Sequence, residues 1–494
     1  MKNRLIKYAP YLLLGFSILT FLALVLKRIN YPIWFDEGYS AYLIKGNLSE
    51  IWGLTAVDVH PPFYYYLLKI WSLAFGTSLI SLRMMSVFFG VASIVLLFFL
   101  VKHWFGKKPA VCAALLMAVS PFLIRYGMEM RMYMVILTIV LSATFMLTLA
   151  VEKGKKSYWV YYAILVALGM YTHYFTFLVW LTHLVYLQFV LKKPVYKAPI
   201  VFSYLGAVLL YLPWVPSLLS QMQSISGGFW IPPVTAETPV NFLTDIFFFK
   251  SAGELAGLSV VLAIVFALVY SVVTGKAYKV LAKADKKQLV FLMLLFVLPP
   301  VLLIVVSLVY KPMFVDRYLV PSSIIAWVLL GVSLVFWPRK KTFDKCALVF
   351  ATLVVLVSAG FGALNVLDRA PDSYVADIVK LVKERDSTSA ILADDIWVFL
   401  GAAIYTSKTT PVYGTLETTF TNGWGSEEPM KYYEGKLERA DSQVYATLED
   451  FLKGNESFWF ITENPDKLPA ENLKVIDEVK TEHHVAVRLE KLVN

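Results

Sequence analysis

The chain has 494 residues, of which 58% are hydrophobic and 16% are charged, and its mean hydropathy is +0.65. Soluble globular proteins carry about a quarter charged residues, so this composition excludes an ordinary soluble domain and indicates a membrane protein with many spans. The formal net charge of +10 does not predict a nucleic-acid partner, because lysine and arginine lie in short clusters between apolar runs. Cys112 and Cys346 lie far apart, and no Cys/His cluster has metal-binding spacing. Neither a disulfide nor a zinc site is therefore predicted.

Apolar runs long enough to cross roughly 30 Å of hydrocarbon recur along most of the chain. The first run follows basic residues and precedes Lys27 and Arg28 instead of a cleavage site, so we interpret it as an uncleaved span. The fifth and sixth runs are nearly continuous, and the sequence YTHYF divides them. About eleven transmembrane helices are predicted, at residues 8–27, 79–101, 109–125, 132–151, 158–174, 175–191, 198–216, 254–273, 289–310, 319–337 and 346–366.

The basic clusters indicate which side each connection faces. Besides the N-terminus, they occupy every second connection, at residues 102–108, 152–156, 191–197, 274–287 and 338–345. Excess lysine and arginine in short loops marks the cytoplasmic side. We therefore predict a multi-pass plasma-membrane protein with a cytoplasmic N-terminus, and the odd number of spans places the C-terminal segment outside the cytoplasm.

The segment 367–494 differs from the rest because charged residues become frequent and apolar runs shorten. Alternating patterns predict a soluble α/β domain, with carbohydrate or partner binding as its expected role. We thus predict two domains, a transmembrane catalytic domain at 1–366 and an extracytoplasmic domain at 367–494. The predicted helices are SYVADIVKLVKER, IWVFLGAAIYT and QVYATLEDFLKG, and the predicted strands are SAILADD, TPVYG, ESFWFITE and HHVAVRLEK.

Several charged or polar side chains lie in or beside the connections that are predicted to be external. The excess of lysine and arginine on the cytoplasmic side does not explain them. They are Asp36, Glu37, Asp58, His60, Arg83, Arg125, Glu129, Arg131, His173, Asp316 and Arg317. Carboxylates, imidazoles and guanidinium groups gathered at one membrane surface are what a reaction between a lipid-borne phosphate ester and a polar acceptor requires. Arg131, Arg317 and His60 are candidate cations, and Asp36 is a candidate proton acceptor.

Each of these groups could also have an ordinary structural role. Asp36 could cap the helix EGYSAYLIK, and His60 could be a polar residue before a helix that starts with proline. The tyrosines at 64–66 and Trp71 are most simply an aromatic belt at the membrane surface.

The remaining motifs are equally open when taken singly. Glu129 could pair with Arg125 in a plain hydrophilic turn, and His173 could be a hydrogen-bonded residue between helices. Asp316 and Arg317 could form an exposed ion pair where a helix begins.

Taken in order, the stretches WFDEGYSAYL, DVHPPFYYYLLKIW, SPFLIRYGMEMRMYMV, YTHYFTFLVW and FVDRYLVPS resemble the bacterial GT-C class of polyprenyl-phosphate-sugar-dependent glycosyltransferases. The resemblance is to the RgtA/B/C/D-like group, which is similar to protein O-mannosyltransferases and to the lipid A aminoarabinose transferase. It covers about residues 10–335 and specifies the class but not the sugar. It implies a GT-C fold whose first external loop carries membrane-lying helices and begins with an acidic residue.

The resemblance also implies roles for particular residues. The implied catalytic set has Asp36 as the base and is completed by Glu37 and Glu129, and these acids would also permit a divalent metal. His60 stands where the family has a basic residue near the lipid phosphate, and Arg317 is the implied phosphate partner. The implied substrate-binding set is His60, Arg131, Tyr133, His173, Tyr174, Arg317 and Tyr318.

The implied reaction moves a sugar from a polyprenyl-phosphate donor to a lipid, glycan or protein acceptor, in a membrane whose lipids surround the spans. A single acceptor-side carboxylate predicts direct displacement with inversion, whereas a retaining route would need a second carboxylate such as Glu129 as nucleophile. The alternative function is a transporter or flippase, which would place ionisable groups near the bilayer midplane. A third is a scaffold or receptor whose C-terminal domain binds a partner.

Overall fold

The structure is a computed structural model that describes residues 2–224, 231–249, 283–337, 342–368, 375–405, 410–415, 442–445, 447–462, 473–481 and 484–491. The described residues form two compact units. The first unit draws on 1–29, 83–214 and 231–369, and the second on 30–82, 215–230 and 370–494. The helices within residues 30–82 thus belong to the same unit as the C-terminal elements, and the predicted division at residue 366 stays a prediction.

The described helices follow the apolar runs of the sequence. In chain order they are α1 (Lys2–Leu26), α2 (Phe35–Leu43), α3 (Leu48–Val57), α4 (Phe63–Phe75), α5 (Leu79–Phe105), α6 (Lys107–Ala118), α7 (Pro121–Gly127), α8 (Tyr133–Lys153), α9 (Lys156–Thr172), α10 (Thr176–Val185), α11 (Ala198–Tyr211), α12 (Val215–Ser224), α13 (Thr238–Phe248), α14 (Lys283–Val309), α15 (Val320–Phe336), α16 (Thr342–Asp368), α17 (Val375–Arg385), α18 (Ile396–Tyr405) and α19 (Leu448–Gly454). A π-helical turn, Tyr186–Val190, continues α10, and 3-10 turns precede α12 at Leu212–Trp214 and α15 at Asp316–Leu319.

Seven described helices are long and apolar enough to span a membrane, or eight if the pair α6 and α7, bent by 57°, is one span. The prediction of a polytopic helical membrane protein is therefore confirmed. The predicted count of about eleven spans is higher than the number of described helices that are long enough to span. The helix α9 has 17 residues and would be roughly 25 Å long, which is shorter than the roughly 30 Å of hydrocarbon. The helix α10, even with its π-helical turn, is shorter still. The predicted span 254–273 lies outside the described residues.

Helices of the first unit make close contacts through small residues. In α15, a Cβ added at Gly331 would lie 2.9 Å from the Cα of Ala113 in α6, so the two backbones are in direct contact. Small residues permit such close approach between membrane helices.

A chain of buried hydroxyl and imidazole groups also joins the helices of the first unit. The His183 Nε2 lies 3.2 Å from the Thr144 hydroxyl, and its Nδ1 lies 3.0 Å from the Tyr162 hydroxyl. The Tyr162 hydroxyl in turn lies 2.8 Å from that of Tyr204. These contacts link α8, α9, α10 and α11.

The second unit contains a six-stranded mixed sheet with the order β3-β2-β1-β4-β6-β5. The strands are β1 (Ala390–Ala393), β2 (Val412–Thr415), β3 (Ser442–Tyr445), β4 (Ser457–Thr462), β5 (Leu473–Lys480) and β6 (Val485–Lys491). The first four strands pair in parallel, with Ile391 opposite Val412 and Trp459, and β6 pairs antiparallel with both β4 and β5. The predicted C-terminal α/β domain is confirmed.

Two details of that domain differ from the prediction. The stretch QVYATLEDFLKG is not one helix, because QVY belongs to β3 and the helix α19 begins only at Leu448. Thr447 caps this helix by accepting the Asp450 N–H, and such a cap fixes where a helix starts. The strand β5, whose sequence LKVIDEVK is mostly exposed, was not predicted.

Candidate active site

The acidic pair lies in the first turn of α2 in the second unit. Trp34 is the N-cap and forms no side-chain cap bond, so Asp36 is not the cap and the capping role considered from the sequence does not hold. Two carboxylates in the first turn are favoured by the positive end of the helix dipole. Glu37 is fully buried, and the Tyr31 hydroxyl donates to its Oε1 over 3.4 Å, whereas Asp36 is partly exposed.

His60 lies between α3 and α4 in the same unit. Its Nδ1 is 3.2 Å from the Oδ2 of buried Asp58, the residue that ends α3. A carboxylate at this distance orients the imidazole ring. His60 does precede a helix, α4, that begins after Pro62, but its pairing with a buried acid makes it more than a helix-start residue.

The aromatic residues that follow do not form the predicted surface belt. Tyr64 and Tyr65 are fully buried, and the Tyr65 ring contacts Tyr39 of α2 edge to face at 6.2 Å. Tyr66 donates its hydroxyl to the Leu48 carbonyl, and the Trp71 indole N–H donates to the Ser81 carbonyl. These rings therefore hold the helices of the loop together.

In the first unit, Glu129 and Arg131 lie in the turn between α7 and α8. Both side chains are only 1% exposed, so the turn is not the plain hydrophilic turn considered from the sequence. The Glu129 carboxylate lies 3.6 Å from the Arg125 guanidinium, which is the ion pair considered as an alternative from the sequence. The Glu129 carbonyl accepts from the Ser86 hydroxyl of α5 at 2.6 Å and from the Arg131 N–H at 2.8 Å. Buried charges need such partners, and these bonds fix the turn.

Tyr126 joins this turn to the 3-10 turn that precedes α15. Its ring contacts the ring of Tyr133 at 4.8 Å, and its hydroxyl is within electrostatic range of Glu129, Asp316 and Arg317. Two turns that are far apart in sequence, at 128–132 and 316–319, therefore both lie near this tyrosine. Asp316 and Arg317 are half-buried there, unlike the exposed ion pair considered from the sequence.

The break between α9 and α10 completes the group in the first unit. His173 is 4% exposed, and its ring lies 4.7 Å from that of Tyr318, which also stacks on Phe175 at 4.9 Å. The Phe175 N–H donates to the His173 Nδ1 at 3.3 Å, so the neutral ring carries its proton on Nε2. The guanidinium carbon of Arg317 lies 6.0 Å from the Tyr318 ring centre, within range of a cation–π interaction.

The predicted site residues thus form one group in each unit. In the first unit, Tyr126 and Tyr318 connect Glu129, Tyr133, His173 and Arg317, and Arg131 shares the turn of Glu129. Tyr174 is next to His173, and its hydroxyl accepts the indole N–H of Trp214 at 2.9 Å. The second unit holds Asp36, Glu37 and His60. In the part of the chain that the structure describes, no three His, Cys, Asp or Glu side chains are arranged to hold a metal ion.

Some residues of these groups were not among the predicted site residues. Asp58 orients His60, and the sequence signal was the D-x-H spacing of DVH. Tyr126 and Phe175 connect the group of the first unit through ring contacts, for which the sequence contains no local signal.

Residues 59–218 match the family described as dolichyl-phosphate-mannose-protein mannosyltransferase. YkcB of Bacillus subtilis (strain 168), which carries a provisional mannosyltransferase name, is 28% identical over 138 residues, which are 25% of this chain and 19% of YkcB. The match thus spans about a fifth of that relative's length.

Two crystal structures of ArnT from Cupriavidus metallidurans share the fold. The apo structure has a TM-score of 0.61 at 11% identity, and the structure bound to undecaprenyl phosphate has a TM-score of 0.59 at 12% identity. Both comparisons cover 97% of this chain and 97% of ArnT. The family match includes the turn at Glu129 and the break at His173, and the ArnT fold extends over nearly the whole chain. The chain is therefore a multi-pass membrane protein with the fold of ArnT, and its residues 59–218 resemble the dolichyl-phosphate-mannose-protein mannosyltransferase family.

Proposed function

We propose that the protein transfers a sugar from a polyprenyl-phosphate donor to an acceptor on the extracytoplasmic side of the membrane. The observation that carries the proposal is the group of the first unit, in which Arg317 and His173 lie against the Tyr318 ring and the buried Arg131 shares the turn of Glu129. Cations set among aromatic rings suit a ligand with a phosphate and a sugar. The same fold in ArnT has been solved with undecaprenyl phosphate, which supports a lipid phosphate as part of the donor.

Arg317 is the proposed partner of the donor phosphate. As the sugar leaves, the phosphate gains negative charge, and a preorganised guanidinium stabilises that charge more in the transition state than in the bound donor. Arg131 and His60 are proposed to share this role, His60 being oriented by Asp58. Tyr133, His173, Tyr174 and Tyr318 are proposed to contact the donor.

Asp36 is the proposed general base. An acceptor hydroxyl is a weak nucleophile until its proton is removed, and a positioned carboxylate contributes roughly 10²–10⁴-fold to the rate. Asp36 suits this role better than Glu37, because Asp36 is partly exposed and Glu37 is fully buried. Glu129 faces Arg125 across 3.6 Å, which favours a supporting role over that of nucleophile, so the proposed reaction inverts the anomeric carbon.

The test uses purified protein in vesicles supplied with radiolabelled polyprenyl-phosphate sugars and membrane-extracted acceptors. Asp36→Asn should bind the donor and melt like the parent, yet lose transfer by roughly 10²–10⁴-fold. Asp377→Asn, an exposed acid in the first turn of α17, is the matched control and should be fully active. Undiminished transfer in Asp36→Asn would remove Asp36 from the mechanism. Movement of the intact lipid-linked sugar without its consumption would favour a flippase instead.

A second variant tests the phosphate assignment. Arg317→Ala should weaken donor binding by roughly tenfold or more, because it removes a charge-assisted contact. Arg385→Ala removes an arginine that is exposed on α17 and should leave donor affinity unchanged. Equal donor affinity in Arg317→Ala and the parent would contradict phosphate binding by Arg317.

A further inference from the structure

The helix α2, which carries Asp36 and Glu37, has only nine residues, and every residue from Glu37 to Leu43 is buried. An isolated helix of this length is not stable in water, so its position depends on what it packs against. Within the second unit, α2 packs on α18 of the C-terminal domain.

The contact between α2 and α18 is unusually close. A Cβ added at Gly38 would lie 3.2 Å from the Leu400 carbonyl oxygen, so the two backbones nearly touch at this glycine. One turn further along α2, the ring of Tyr42 packs against that of fully buried Phe399 at 6.0 Å. Close packing of this kind leaves little room for α2 to shift.

Two polar contacts hold the chain on either side of α2. Before the helix, the Ile33 N–H donates to the Tyr405 hydroxyl at 2.8 Å. After it, the Lys45 ammonium donates to the Ala403 carbonyl at 3.3 Å. Both acceptors belong to the last turn of α18, so both ends of the segment that carries the acids are bonded to this helix.

The helix α18 is itself fixed to the sheet. Its start is set by Asp395, whose carboxylate accepts the Val398 N–H at 2.8 Å. Just before it, the Asp394 N–H donates to the Ile461 carbonyl of β4 at 3.1 Å. At its other end, the Lys383 ammonium of α17 donates to the Tyr405 carbonyl at 3.0 Å. A continuous set of backbone and side-chain bonds therefore runs from the sheet to α2.

We propose that α18 positions the acidic pair of α2 for catalysis, with Tyr405 and Gly38 as positioning residues. This role rests on the proposed function, in which Asp36 is the base. A base acts only when its carboxylate is within hydrogen-bond reach of the acceptor proton, and a displacement of about 1 Å can cost up to roughly 100-fold in rate. The C-terminal domain would then contribute to the transfer rate without itself touching the donor.

The first test is Tyr405→Phe, which removes the acceptor of the Ile33 N–H and keeps the ring. We expect kcat for transfer to fall by about 3- to 30-fold, while the KM for the polyprenyl-phosphate sugar and the melting temperature stay near those of the parent. Tyr413→Phe, in β2 of the same domain, is the matched control and should leave kcat unchanged. A parental kcat in Tyr405→Phe would overturn the proposal.

A double-variant comparison separates positioning from a general structural effect. Once Asp36→Asn has removed the base, adding Tyr405→Phe should lower the residual transfer no further, because the two changes act on one function. Independent, multiplying losses would overturn the proposal. If Asp36→Asn abolishes transfer and Tyr405→Phe does not lower it, the positioning role fails while the proposed function stands. If Asp36→Asn transfers sugar like the parent, Asp36 is not the base. The proposed function then fails on this point, and the positioning role falls with it.

Gly38→Ala provides an independent variant should Tyr405→Phe fold poorly. Alanine favours the helix, but its Cβ would press on the Leu400 carbonyl and displace α2 by a few tenths of an ångström. We expect a drop in kcat of about 3- to 10-fold with an unchanged donor KM. A parental kcat in Gly38→Ala would count against the proposal in the same way.

Discussion

The break between α9 and α10 and the interior of α10 each carry one buried histidine, and the two differ in what surrounds the ring. His183, inside α10, has both ring nitrogens in contact with neutral hydroxyl groups, those of Thr144 and Tyr162. His173, at the break, accepts the Phe175 N–H of its own turn and lies against the ring of Tyr318, next to Arg317.

Burial and residue type alone therefore do not indicate whether a histidine packs between helices or belongs to the candidate site. Hydroxyl groups from α8 and α9 satisfy His183, which therefore joins helices. A local backbone bond orients His173, whose ring lies against Tyr318 beside Arg317. We therefore expect His183 to contribute to stability and His173 to transfer.

The largest effect is expected for His183→Ala. The change leaves a cavity and removes one hydrogen-bond partner from each of the Thr144 and Tyr162 hydroxyls, which should lower the free energy of unfolding by roughly 2–4 kcal/mol. Thermal unfolding in detergent micelles measures this loss. His103→Ala is the matched control, because His103 is exposed and pairs with exposed Glu152, and an exposed pair contributes at most about 1 kcal/mol. Normal melting of His183→Ala with lost transfer would reverse the comparison.

A somewhat smaller effect is expected for His173→Ala, in the transfer rate. The change removes a ring from the group around Tyr318 and Arg317, so transfer should fall by roughly 10- to 100-fold. The melting temperature should drop less than in His183→Ala. The rate is measured in vesicles with the radiolabelled donor. Transfer at the parental rate would show that His173, like His183, only packs.

The smallest effect is expected for Tyr162→Phe, which keeps the ring but removes the hydroxyl between His183 and Tyr204. A hydrogen bond between membrane helices contributes on average about 0.6 kcal/mol and at most about 1.7 kcal/mol, so the loss of stability should be within this range. Tyr161→Phe, at the neighbouring exposed position, should unfold like the parent. Equal melting of the two variants would mean that the hydroxyl chain does not stabilise the helices.

The sequence predicted the helices of the membrane region well, because an apolar run of spanning length rarely forms anything but a membrane helix. It also predicted most elements of the C-terminal domain. The residues QVY were assigned to a helix because they directly precede the helical pattern of α19, but they belong to β3. The strand β5 escaped because its exposed residues lack the regular alternation that marks a half-buried strand.

For the candidate site, the sequence indicated which charged residues are unusual but not what each one contacts. The pairing of Glu129 with Arg125 was one of the alternatives that the sequence left open. The proximity of Tyr126 to the turn at Asp316 and the contact of His173 with Tyr318 bring together segments that are distant in sequence, so no local pattern predicts them. Tyr64 and Tyr65 differ from the prediction in another way. Their aromatic run is typical of a membrane surface, but both side chains are buried.

The close contact between Gly331 and Ala113 has a consequence for biosynthesis. The chain emerges from the ribosome N-terminus first, so α6 enters the membrane long before α15 exists, and its seam around Ala113 stays open until α15 arrives. The turn with Arg317 and Tyr318 directly precedes α15 and comes into place with it. A nascent chain that stops before this turn would therefore lack the proposed phosphate partner, and the protein would gain its proposed donor site only late in membrane insertion.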